Sequence, residues 1–216
     1  MLAACLTIVA CAAPEPPVSP AVRPEPQGTR YHLGDFVVYR YDGSFTQTPV
    51  TMREEITAQE GKRLRIDVTV TRGSDERKWA QVVTDTPENQ RANVVDALFE
   101  WQGGKFVRLE NAANADLLRL YGWVLVVPDG RPTEVKSESC KKTIGGVDYT
   151  CTCTGGRNTI NGAAVTFSDS ECSDFVWTHG PSVFRDVANA SDVLRADIIA
   201  AGHDAGAQPQ PLMPVP

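Results

Sequence analysis

This chain of 216 residues is poor in the residues that most often carry catalysis. It has three histidines, His32, His179 and His203, spread along its length. His32 stands at the start of the domain and His203 in the tail, while His179 lies in Trp177-Thr178-His179-Gly180-Pro181, the composition of a surface turn. For each of them, exposure or capping outweighs a catalytic role. No H-E-x-x-H, G-x-S-x-G, P-loop or G-x-G-x-x-G spacing is present, so no catalytic or nucleotide-binding motif can be assigned. Runs of Lys and Arg are also missing, and the net charge of −6 is mixed in sign along the chain. Nucleic acid is therefore not an expected partner, and there is no polybasic patch for anionic lipid. No apolar stretch reaches the roughly 20 residues that a membrane-spanning helix needs. There is no internal repeat.

What is present begins at the N-terminus. Residues 1–10 are apolar and uncharged, ending Ile8-Val9-Ala10 before Cys11, and residues 12–27 hold six prolines. An apolar run, small residues and then Cys resembles the end of a bacterial lipoprotein signal peptide. The resemblance implies cleavage before Cys11, lipidation of that residue with three acyl chains, and a mature protein that begins there. A secretory signal carries a basic n-region, and the first basic residue here is Arg23. That points to a start codon further upstream, which would make Cys5, after Leu2-Ala3-Ala4, a competitor. Cys11 is preferred because polar, Pro-rich sequence follows it. The expected organisation is a signal peptide over 1–10, a lipidated Cys and Pro-rich tether over 11–29, one β-rich globular domain over 30–202, and a disordered Pro-rich tail over 203–216. Attachment to a membrane would come from the lipid, since two or more chains anchor stably.

Within the domain the dominant period is two. In residues 62–72, Leu64, Ile66, Val68 and Val70 alternate with Arg65, Asp67, Thr69 and Thr71, the pattern of a half-buried antiparallel strand. Residues 35–41 are rich in β-branched and aromatic side chains, and 50–58 and 78–84 are weaker strands. Further strands are expected over 97–101 and 105–109 around Gly103-Gly104, over 123–127, over 157–160 and 163–167 around Asn161-Gly162, and over 183–187 and 193–199. Thr86-Pro87 can cap a short helix near 87–95, and Asn114 another near 114–121. The predicted fold is mainly β: an antiparallel sheet of about ten strands curled into a barrel or half-barrel, with one or two short helices.

Four cysteines lie in the domain: Cys140, Cys151, Cys153 and Cys172. A hairpin about Gly145-Gly146 sets Ile144 against Val147, Lys142 against Tyr149 and Cys140 against Cys151. Cys140, Ile144, Val147, Tyr149, Cys151 and Cys153 then share one face, whose one charged member is Lys142. Lys141, Thr143, Asp148, Thr150 and Thr152 share the other. Opposed residues lie within disulfide range, so the predicted bridges are Cys140–Cys151 and, by elimination, Cys153–Cys172. A structural staple outweighs a zinc site, because the spacing C-x10-C-x-C-x18-C lacks the usual C-x2-4-C pairs. A redox pair would want C-x-x-C. Asp169, Glu171 and Asp174 fit no calcium loop and read as a solvated turn. No cofactor or metal is expected.

Trp79, Trp101, Trp123 and Trp177, with Tyr121, Phe175 and Phe184, could line an apolar cavity under a curled sheet, or simply fill the core. Two functional readings follow. One is a non-enzymatic lipoprotein of the bacterial cell envelope, facing the periplasm or the exterior, that binds a hydrophobic ligand or another envelope protein. The other is a lipid-anchored hydrolase whose site forms only in three dimensions. A purely structural envelope protein is a third.

Overall fold

A computed structural model describes residues 31–44, 48–86, 88–89, 94–109, 120–121, 124, 134–160, 163–172, 175, 182–188 and 193–213. The expected signal peptide and the whole of the expected tether, including Cys5 and Cys11, lie outside them, as do His179, Trp123, Trp177 and Asp174.

Eleven strands form one antiparallel sheet: β1 (Asp35–Gly43), β2 (Val50–Glu60), β3 (Arg63–Arg72), β4 (Asp75–Thr84), β5 (Ala97–Gln102), β6 (Lys105–Arg108), β7 (Glu134–Ile144), β8 (Val147–Ile160), β9 (Ala163–Glu171), β10 (Ser182–Ala188) and β11 (Val193–His203). Their order is β6-β5-β4-β3-β2-β1-β11-β10-β9-β8-β7. Each neighbour in space is a neighbour in sequence except at the β1–β11 junction, so two meanders meet along the first and last strands. The order has two free ends, β6 and β7, so the sheet is not a closed barrel, one of the two expected forms. It does curl. β7 meets β11 although β8, β9 and β10 separate them in the ladder. Twist accumulated over many strands rolls a sheet in this way.

Alternation decides which residues face inward. Leu64, Ile66, Val68 and Val70 of β3 are all buried and stand opposite Val83, Gln81, Trp79 and Arg77 of β4. With Val37, Val50, Met52, Ile56 and Leu98, and with Ile144, Tyr149, Cys151 and Ile198 from the other meander, the four β3 residues and Trp79 and Val83 of β4 build one continuous core on the inner face. The turns use the glycines the sequence offers. Gly103-Gly104 and Gly145-Gly146 have φ of 56° and 87°, and 56° and 82°, the left-handed values that two-residue hairpins require.

Helix is scarce. Residues 88–89 form a helical turn whose Asn89 N–H donates to Thr86 Oγ1 at 3.2 Å, as a Thr cap should. Of the second expected helix only Leu120 and Tyr121 fall within the described residues, both helical. Of the expected strand over 123–127, only Val124 is described; it lies in a turn, with its N–H on the Tyr121 carbonyl at 2.7 Å.

The C-terminal segment corrects a second expectation. Strand β11 runs through His203, and residues 204–213 then cross the outer face of the sheet instead of forming a disordered tail. Leu212 and Met213 pack on a second cluster of Ala80, Val82, Ala97 and Phe99, joined by Phe106. Prolines prevent ladder pairing but not docking of an extended chain, which is why composition alone misled.

Candidate functional site

The inner face of β2 carries one residue that breaks its pattern. Val50, Met52 and Ile56 alternate inward as expected, and Glu54 takes the position between them, fully buried. Its ladder neighbours are Val37 on β1 and Val68 on β3. Tyr39 and Tyr41 follow Val37 on the same side of β1, opposite Met52 and Val50. From β4, Trp79 and Gln81 face the same space, and Tyr121 reaches it from the helical turn. Tyr121 meets Trp79 edge-on at 4.8 Å, and its hydroxyl lies 3.5 Å from Gln81 Oε1. Tyr39 and Tyr41 stand with ring centroids 6.2 Å apart.

The electrostatics bind this group together. Tyr39, Tyr41 and Tyr121 all hold their phenolic protons well above the ordinary range. The first cause is burial, which disfavours the phenolate, and the second is the Glu54 carboxylate. The neighbouring Trp79 and Gln81 side chains act against this at Tyr121. Tyr31 is raised as well, by burial and then by Asp85 and Asp35. Yet Tyr39, Tyr41 and Tyr121 are only partly buried. Around them the inner face is apolar, so a carboxylate, a carboxamide and three neutral phenols form one polar group on it. Such a group accepts and donates hydrogen bonds.

Of the aromatics expected either to line a cavity or to fill the core, Trp79 is buried in the core and Tyr121 packs against it. Phe175 packs on Tyr149 at 5.5 Å within the core, and Trp101 lies on the outer face against Phe106 at 4.9 Å. The Phe184 side chain is outside the described residues. Glu54, Tyr39 and Tyr41 were not singled out by sequence reasoning. The available signal was parity, because Glu54 shares the inward phase of Met52 and Ile56.

His203 and His32 both meet Asp35. His203 Nδ1 is 2.9 Å from Oδ1, and the His32 backbone N–H donates to Oδ2 at 2.6 Å. These contacts tie the first turn of the domain to the end of β11. Among the described residues no group of three or more His, Cys, Asp or Glu side chains converges as a metal site would require.

The cysteines sit in the expected ladder but pair differently. Cys140 is opposite Cys151, as the hairpin predicts, yet the bridges are Cys140–Cys153 and Cys151–Cys172, not Cys140–Cys151 and Cys153–Cys172. The reason is the alternation of wide and narrow pairs. Ile144 and Val147 close a two-residue turn as a hydrogen-bonded, wide pair, and Cys140–Cys151, four residues on, is wide again, near 5.5 Å between Cα atoms. The second hairpin joins Ile160 to Ala163, and its register carries Cys172 opposite Cys151, nine residues on, where the pair is narrow. There the Cα atoms are 4.0 Å apart. Cys140 then takes Cys153 along a diagonal of 5.8 Å.

No family model matches the chain, and no curated protein is similar to it. Among solved structures, the hypothetical protein CT021 of Chlamydia trachomatis is similar at 8% identity and a TM-score of 0.42, over 84% of this chain and 94% of that one. A candidate exported protein of Bacteroides fragilis with a YmcC-like fold (BF2203) is similar at 7% identity and a TM-score of 0.34, over 85% of this chain and 99% of that one.

Proposed function

We propose that this chain is a non-enzymatic protein of the bacterial cell envelope, held at a membrane by lipid on Cys11. Its half-barrel binds an amphiphilic ligand on the inner face. The observation that carries the binding reading is Glu54 buried on the inner face beside Tyr39, Tyr41, Tyr121 and Gln81, with apolar side chains around them. An alkyl or acyl chain suits the Val, Leu and Ile walls, and a head group with hydroxyl or amine donors suits the carboxylate and phenols. Two disulfides support an oxidising compartment outside the cytoplasm. Titration of the purified protein with a lysophospholipid should give a saturable change in tryptophan fluorescence. Tyr39→Phe combined with Glu54→Gln should weaken it about tenfold, the equivalent of about 1.4 kcal/mol. No saturable change in the wild type would overturn the reading. For the anchor, wild-type protein should fractionate with membranes and Cys11→Ser should leave them.

A further inference from the structure

On the outer face the sheet makes a second set of contacts, to the C-terminal segment. The ladder between β2 and β3 shifts between Ile56 and Ala58, which leaves Thr57 as a bulge residue. Its carbonyl turns out of the sheet and accepts the Gln210 N–H at 2.8 Å. Arg65, on the same face of β3, is only 3% exposed. Asp67 grips it through two bonds of 2.7 and 2.9 Å, and its guanidinium lies over the Phe106 ring at 4.9 Å. Arg65 Nη1 then donates to the Pro211 carbonyl at 3.0 Å. Beyond it, Ala80, Val82, Ala97 and Phe99 receive Leu212 and Met213.

Both polar contacts address the main chain of the segment, and the rest is apolar floor. The order of features selects an extended chain: an N–H donor, then a proline carbonyl, then two apolar side chains. Proline before and within such a segment pre-sets the extended form and lowers the entropic cost of docking. Arg65 is held by Asp67 and Phe106, which belong to the sheet. On the tail, Pro211 is exposed and Leu212 and Met213 are half-buried.

We propose that this groove is a docking site for an extended, proline-containing segment of a partner protein, and that residues 208–213 occupy it in the free protein as an internal competitor. The tethered copy keeps the groove filled, so an outside peptide meets only the open fraction.

The test uses a fluorescein-labelled peptide of residues 208–216 and the full chain, read by fluorescence anisotropy. Leu212→Asp with Met213→Asp should free the groove and bind the peptide saturably, at least tenfold more tightly than the wild type. Adding Arg65→Met to that variant should lose tenfold or more. Equal binding by wild type and freed variant, or binding by neither, overturns the proposal. Should the freed variant fail to fold, the wild type decides: excess peptide must shift the Met213 methyl resonance, and an unmoved resonance overturns the proposal. A wild-type dimer that the peptide disperses would assign the groove to a second copy and overturn the partner reading.

Discussion

Arg65 donates to the carbonyl of Pro211, 146 residues further along the chain, at 3.0 Å. This contact fastens the C-terminal segment to the middle of the sheet, and Arg65 itself is almost wholly enclosed. Removing it leaves Asp67 without its bidentate partner. Arg65→Ala should cost about 2–3 kcal/mol in urea unfolding, the scale of buried hydrogen bonds to a charged group. An effect below about 0.5 kcal/mol, the range of ordinary surface substitutions, would show that the contact carries no stability.

Gly34 is the joint on which that segment hangs. It has φ of 89°, donates to the Ile56 carbonyl and accepts from the Asp204 N–H, both at 2.8 Å. A Cβ there would collide with the Asp204 carbonyl oxygen. Gly34→Ala should destabilise by about 1–3 kcal/mol through strain alone, and protease should then cleave first after residue 203. Unchanged stability and unchanged cleavage would contradict this.

The disulfides predict a pattern of non-additivity. Cys151→Ala, Cys172→Ala and their double mutant should destabilise alike, by about 3 kcal/mol on the chain-entropy scale for a closed loop of this length. Cys140 and Cys153 should behave as a second such pair. Combining Cys140→Ala with Cys151→Ala breaks two bridges and should cost more than either change alone. Non-reducing peptide mapping checks the same point directly.

The hairpin of β7 and β8 was legible to the residue because two signals agreed, the Gly145-Gly146 turn and the alternation of Ile144, Val147, Tyr149 and Cys151 with Thr and Lys. The bridges were misread for want of one more step: counting wide and narrow pairs outward from each turn. Extending the Asn161-Gly162 register to Cys172 would have found its partner. The polar group around Glu54 was half legible. Trp79 and Tyr121 stood out as aromatics, but Glu54 looked like one more charge in a polar stretch, although its phase matched Met52 and Ile56. The docked tail was not legible, since its prolines have the composition of disorder and its partners, Thr57 and Arg65, lie far away in sequence.

Tyrosine titration reports the buried cluster around Glu54. Tyr31, Tyr39, Tyr41 and Tyr121 hold their protons in the fold above the ordinary value near 10. The unfolded chain therefore loses those protons first. Their contribution to stability is complete below about pH 10 and falls as pH rises beyond it. Absorbance of the folded protein should show little tyrosinate from these four of its five tyrosines until it unfolds in alkali. Glu54→Gln removes the charge that helps raise three of them, so their titration should move toward the ordinary range. Ordinary titration of all five in the folded wild type would contradict the burial of this cluster.

The account rests most on the inner face being a ligand site. The direct measurement is mass spectrometry of the organic extract of protein purified from its own envelope, comparing wild type with Val68→Asp, which sets a second charge beside Glu54. The account predicts one class of amphiphile, near one molecule per chain, in the wild type and its loss from a variant that circular dichroism shows to be folded. A wild type that carries no amphiphile, or a variant that carries the same amount, would contradict it.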